Sequence, residues 1–294
     1  MKCSKCSYEN MVDANLCAGC GAKLEKSANG LRRIRDNEIS ICLAEGVEIG
    51  FVRVPAGEFL MGSDPAKDNK ALPNEQPQHK LFLDEYWMGK YPVTNRQYAA
   101  YVKAEGVEAP EPWEVGQALK DKDEHPVVNV SWNAARDFCR WASEVSGKTI
   151  RLPSEAEWEK AARGTDGRTY PWGKQEPDGE RCNYDQQVFD TTPVGRYSPQ
   201  GDSPYSCADM AGNVWEWTRS LWGRDEGTPE YGYPYQAEDG REDEDAADDV
   251  LRTLRGGSWF YDEFNCRSTH RIRGTPGVCD DDIGFRCVSC EAFP

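Results

Sequence analysis

Four cysteines near the N-terminus have the spacing of a metal site. Cys3, Cys6, Cys17 and Cys20 form two CxxC pairs separated by ten residues. Each pair can turn two thiolates toward one ion, and the spacer returns the chain to complete a tetrahedral set, which suits zinc. Gly21 follows the last of them, where a tight turn needs a permissive residue. A redox pair is the rival use of CxxC, but no βαβ pattern surrounds these pairs. So short a piece has almost no apolar core, and metal binding must supply most of its folding energy. The expected metal is structural zinc. The expected role of this ribbon is docking a protein partner, with nucleic-acid contact as the alternative.

Elsewhere, residues suited to catalysis are sparse. The chain has three histidines, His79, His125 and His270, with no HxxxH or HxE cluster to hold iron. Serine-nucleophile and P-loop patterns are absent. The other eight cysteines follow no spacing rule. The first residues, MKCSKCSYEN, lack the apolar core of a secretory signal, and no apolar run approaches the roughly 18 residues of a membrane span. These features predict a cytoplasmic location, mostly free thiols and no membrane partner.

The 294 residues include 51 Asp plus Glu against 35 Lys plus Arg, a formal net charge of −16, which disfavours general nucleic-acid binding. Eleven of the acids lie in residues 224–250 with only two arginines, so this stretch carries −9 of the total. It reads as a solvated loop inserted into a folded domain.

The surrounding elements follow from pattern. After a ribbon at 1–24, residues 25–46 read as a linker. From Val47, VEIGFVRVPAGEFLMGS has short β-branched and aromatic runs with a hairpin-type break at Pro55-Ala56-Gly57. Three helices have clear starts. Thr94 with Gln97 and Ser154 with Glu157 are capping boxes, and Ser131 caps a run of helical spacing that stops at Gly147. Residues 165–294 read as short strands and long loops. In GNVWEWT, Trp215 and Trp217 alternate with Glu216 as on a strand with one aromatic face. The order of elements fits α+β.

Nine motifs then occur in order: VPAGEFLMGS (54–63), PVTNRQY (92–98), PVVNVSWNAARDFCRW (126–141), RLPSEAEWEKAARG (151–164), YPWG (170–173), TPVG (192–195), DMAGNVWEWT (209–218), LRGGSW (254–259) and DDIGFRCV (281–288). Together they resemble the formylglycine-generating enzyme, or sulfatase-modifying factor, family over about 240 residues. The resemblance implies a C-type-lectin-like α+β fold, rich in loops, over 47–290. Related domains serve in ergothioneine and pyoverdine synthesis or act as ligand-binding surfaces, some of them diversified by retroelements.

The family's enzymes resemble one another in two cysteines, five residues apart after GGS, that bind copper(I) and oxidise a client cysteine. Here Ser258 matches the family serine and Cys266 the second cysteine, so these two are the candidate catalytic residues. The first cysteine position is Tyr261, and a phenol is a poor ligand for a soft ion. Cys279 lies downstream of this pair of positions. The resemblance also implies that Cys139 and Cys287 are neighbours, and that Asn183 belongs to a calcium site, although Gln186 stands where an acidic ligand is expected.

The favoured function is therefore a binding module. Its candidate surface is 259–283, for a protein or small-molecule ligand, with Trp259, Phe260, Tyr261, Phe264, His270, Arg271 and Arg273 as contact residues. The alternatives are a formylglycine-type oxidase, a retroelement-diversified binding protein, and a scaffold whose ribbon docks a partner. For the ribbon, elemental analysis of the purified chain is expected to give one zinc per molecule, and Cys17→Ser to remove most of it.

Overall fold

The computed structural model describes residues 31–35, 37–113 and 121–291. The proposed zinc ligands Cys3, Cys6, Cys17 and Cys20 lie outside these residues. Two sheets and three helices organise the rest. The first sheet has the order β1-β2-β3-β6-β11, formed by Leu31–Arg35, Glu38–Ala44, Val47–Val54, Tyr86–Gly89 and Val288–Ser289. A separate pair joins β4 (Gly57–Met61) to β5 (His79–Leu83). The second sheet has the order β10-β7-β8-β9, from Ile283–Phe285, Trp215–Gly223, Leu251–Arg255 and Arg271–Gly274. Its β10–β7 pair is parallel and the others are antiparallel.

The linker assignment needs correction at Leu31–Arg35 and Glu38–Ala44, which are strands. In β2, Ile39, Ile41 and Leu43 recur at the strand period and are buried. The basic run Arg32-Arg33 masks this signal, because β1 is an exposed edge. The break at Pro55-Ala56-Gly57 is not a hairpin either. It moves the chain from the first sheet to the β4–β5 pair.

All three expected helices form. Thr94 caps α1 (Asn95–Glu105), Ser131 caps α2 (Trp132–Ser146), and Ser154 caps α3 (Glu155–Arg163). The main apolar core lies where α1 and α2 meet the sheets. Tyr98 stacks on Phe138 at 5.7 Å, and Phe138 meets Phe285 edge-on at 5.4 Å. Cys139 and Cys287 are buried beside them, with sulfurs 3.6 Å apart as free thiols.

The strand β7 is buried on both faces, which alternation alone does not reveal. Glu216, between its two tryptophans, is fully buried. Its carboxylate accepts two 2.6 Å hydrogen bonds from Arg286 and one of 2.7 Å from Trp158 Nε1. Arg286 also donates to the carbonyls of Gly89 and Ala208. One ion pair thus ties β7, α3, β6 and the chain between β10 and β11 together.

The insertion 224–250 is not simply solvated. Arg241 is buried, pairs with Asp239 and lies 4.3 Å from the Tyr235 ring centre. Tyr235 and Ser220 both donate to Glu242, which also faces Arg219 at 3.0 Å. The two arginines and the tyrosines of 231–235 pin part of the acidic stretch onto β7. Arg286→Met would leave Glu216 charged and unpaired in the core. In urea unfolding it is expected to lose about 3–5 kcal/mol, and adding Glu216→Leu to recover part of that loss.

Candidate ligand-binding site

The connection from β8 to β9, residues 256–270, forms the site. It leaves the sheet at Gly256 and Gly257, whose φ angles are 102° and 74°. A Cβ on Gly257 would lie 2.8 Å from the Asn265 carbonyl oxygen, so the loop can close on itself only with glycine there. Charge fixes both ends. Before the loop, Arg255 bonds to Glu155 at 3.0 Å and Glu159 at 2.6 Å. After it, Arg271 grips both oxygens of Glu155, and within its last turn Arg267 grips both oxygens of Glu75. Burial alone would raise the Glu75 carboxyl, but hydrogen bonds from His270 and Arg267 hold it down at about 2.

The middle of the loop is held by backbone bonds. The carbonyls of Trp259 and Tyr261 accept from Gln186 and Asp185, each at 2.7 Å, and Trp259 N donates to Asn213. This scaffold presents aromatic rings outward. Phe260 is 49% exposed and Tyr261 43%, with Trp259 half-buried beside them. Successive rings meet edge-on at 5.7 and 5.4 Å. Tyr261 then meets Trp215 at 5.8 Å, and the two share a cleft of about 380 Å³ with Leu251, Ile272, Asn265 and Arg273. The Trp215 indole N–H, buried in this wall, has no hydrogen-bond partner among the described residues.

Two of the proposed contact residues are not available to a ligand. His270 is buried against Glu75, and Arg271 is buried against Glu155. Their charges serve the fold. Arg273 is exposed and does line the cleft, but its partner is Glu226 at 3.6 Å rather than Asp280 to Asp282. Phe264 is half-buried, packed on His270 at 5.1 Å and under the Arg267 guanidinium.

The chemistry-bearing pair is also turned inward. Ser258 is buried and donates to Asp282 at 2.6 Å. Burial raises the Asp282 carboxyl, the Ser258 hydrogen bond opposes this, and Asp280 and Asp281 add to the rise, leaving it at about 6. Cys266 is 0% exposed and lies in a buried cluster with Tyr170, Cys182 and Ala211. Its sulfur neighbour is Cys182, not Cys279. A hydrogen bond with Cys266, reinforced by burial, pushes the Cys182 thiol well above its usual range. Cys279 is exposed in a different cleft, near Tyr98.

A family model described as "Sulfatase-modifying factor enzyme 1-like domain" matches residues 45–290. The chain belongs to this sulfatase-modifying factor family. The formylglycine-generating enzyme of Thermomonospora curvata is 33% identical over 299 residues, covering 82% of this chain and 93% of that protein. The inactive C-alpha-formylglycine-generating enzyme 2 of Bos taurus is 30% identical, covering 86% and 92%. The serine/threonine-protein kinase pkn1 of Chlamydia caviae is 33% identical over 81% of this chain, which spans only 37% of that kinase. Among solved structures, PvdO from Pseudomonas aeruginosa matches with a TM-score of 0.69 and 27% identity, covering 87% of this chain and 99% of PvdO. The C-type-lectin-like α+β fold expected from the motifs is the fold of this sulfatase-modifying factor domain.

Asn183 of this domain is buried, and its amide nitrogen donates to the Asp190 carbonyl and to Asn213. Its Oδ1 has no partner among the described residues, which is one oxygen free for a cation. The nearby carboxylate of Asp190 is already bonded to Lys122 at 2.7 Å. Asn183 and Asp190 by themselves fall short of the six to eight oxygens that calcium needs. Sequence reasoning missed Cys182, Trp215, Asp282 and Glu226. Cys182 stood beside Asn183 in CNYD, and Asp282 is the second residue of the last motif. Glu226 carried no signal apart from its place in the acidic stretch.

The raised Asp282 carboxyl sets a pH window. Its folded pKa lies above the ordinary value of 3.8, so its contribution is fully present below that value and lost as pH rises through about 6. Asp282→Asn removes this term. Thermal melts from pH 4 to 7 are expected to show the difference between variant and parent moving in favour of the variant until about pH 6, then levelling. The buried Asp209, also at about 6, is unchanged in both and cancels in this difference.

Proposed function

We infer that the domain is a binding module whose recognition surface is the rim formed by Trp259, Phe260 and Tyr261 with the adjoining cleft. The observation that carries this is the exchange of exposure between positions 261 and 266. The side chain that lines the cleft is a phenol, while the sulfur five residues on is fully buried and does not reach it. A copper(I) site of the family type needs two thiolates at these two positions. The residues present do not fit it. Cys182 supplies a second sulfur beside Cys266, but Tyr170 shares their cluster and Trp172 and Tyr184 pack against it, away from a client thiol.

Exposed aromatic rings on a rigid loop are what an interface needs, since they bury large area with few rotamers to fix. The Bos taurus relative, named as inactive, supports a reading without oxidase activity at this degree of similarity. A reducing cytoplasmic location belongs to the same proposal, supported by the eight described cysteines being free. No helix among the described residues is long and apolar enough to cross a membrane. The N-terminal ribbon is read as a zinc-held dock for a protein partner.

Display selection of peptides against the whole protein tests the surface. Selected peptides are expected to bind at least about tenfold more weakly to Phe260→Ala or Tyr261→Ala, a loss of about 1.4 kcal/mol or more. The rival oxidase is tested in parallel with copper(I)-loaded protein, oxygen and a cysteine-containing peptide. Mass spectrometry is expected to find the peptide unchanged, and conversion of its thiol to an aldehyde would overturn the binding reading.

A further inference from the structure

The cleft sets one exposed ion pair against an apolar wall. Its walls are apolar and aromatic, from Trp215, Tyr261, Leu251 and Ile272. At one side stands a single guanidinium, Arg273, whose charged end lies 5.9 Å from the Trp222 ring centre. The carboxylate facing it, at 3.6 Å, belongs to Glu226 of the acidic insertion, and Glu226 also lines the cleft. Glu226 is 78% exposed and Arg273 36%, so this contact is loose and solvent-screened. Such pairs contribute little, and the glutamate can leave at small cost. By contrast, the other arginines near the loop are locked: Arg255, Arg267 and Arg271 are fully buried in ion pairs.

We propose that Glu226 occupies the position of a ligand carboxylate, and that the cleft binds a small monocarboxylate with an aromatic or branched aliphatic body by displacing it. This rests on reading the cleft as a ligand site and adds the class of ligand. The body would lie on Trp215, Tyr261, Leu251 and Ile272, and the carboxylate would take the Arg273 guanidinium, whose fork suits such a group. A volume of about 380 Å³ is near the lower end for small-molecule sites and matches a one- or two-ring molecule. One guanidinium balances one negative charge. The exposed Asp262 and Glu263 on the same loop would repel a dianion such as a phosphate monoester. The acidic insertion then acts as a built-in competitor, because Glu226 must leave for the ligand to bind.

The test uses the full chain and three acids as probes: phenylacetate, indole-3-acetate and 4-methylpentanoate, each beside its primary amide. Binding is read by calorimetry and by saturation-transfer NMR. At least one acid is expected to bind saturably, with its amide at least about tenfold weaker. Arg273→Gln is expected to weaken the acid by about tenfold or more, and Glu226→Gln to tighten it at least twofold, by removing the competing carboxylate. Both residues are exposed, so neither variant threatens the fold. The opposite sign of the two effects is the signature, since a merely structural pair would lose binding in both. The proposal is overturned if no acid saturates, if acids and amides bind alike, or if Glu226→Gln fails to tighten binding. The same preparations carry the peptide selection. Peptide binding that depends on Phe260 without acid binding removes only this proposal, and the reverse removes only the aromatic-rim reading.

Discussion

The buried pair between Glu216 and Arg286 is the constraint on which the rest of this fold depends. A loop-rich domain of this size cannot define its shape by long helices and strands alone, and here the second sheet is covered on both faces. Glu216 would be a severe liability inside that sheet without a partner. Arg286, from the segment between β10 and β11, reaches it and spends its remaining donors on backbone carbonyls at Gly89 and Ala208. Four separate stretches of chain must be in register before that carboxylate is satisfied. A buried ion pair adds little net stability compared with apolar residues of the same shape, yet breaking it is costly. Its effect is to make misplacement of any of the four stretches expensive.

The same device is repeated nearer the site. Glu155 and Glu159 on α3 receive Arg255 and Arg163, and Glu155 also receives Arg271. Glu75 receives Arg267 and His270. These contacts bracket the loop 256–270 on both sides with short charge-assisted bonds. A loop clamped this way can hold aromatic side chains outward without collapsing over them. The exposure of Phe260 and Tyr261 is therefore a consequence of charges buried behind them, and the site inherits its rigidity from the core.

Local rules made the helices and much of the fold class legible. The capping boxes at Thr94 and Ser154 and the stop at Gly147 are written in a few adjacent residues, and the helices follow them. The motifs around 209–218 and 281–288 announced a family, and the architecture agrees. What stayed hidden depends on pairing over long separations. The alternation of Ile39, Ile41 and Leu43 does not say that β2 will lie beside β3, and its basic, exposed edge partner obscures it. His270 and Arg271 read as surface chemistry because charge in a sequence suggests solvent, and only the fold brings Glu75 and Glu155 to meet them. The acidic stretch misled in the same way. Its net charge predicted solvation, while Arg241, Tyr235 and Glu242 anchor it to β7.

The phenol at position 261 is best understood together with the burial at 266. A sulfur pair open to a cleft is reactive, and a domain that keeps one must also keep a path to it. Here the outward position carries a phenol that adds contact area, and the sulfur of Cys266 meets Cys182 in an apolar cluster, where the shared hydrogen bond and burial disfavour the Cys182 thiolate. With the phenol outside and the sulfur inside, the mouth of the cleft is an aromatic rim, and the clamps of Arg267 and Arg271 hold the backbone that presents it.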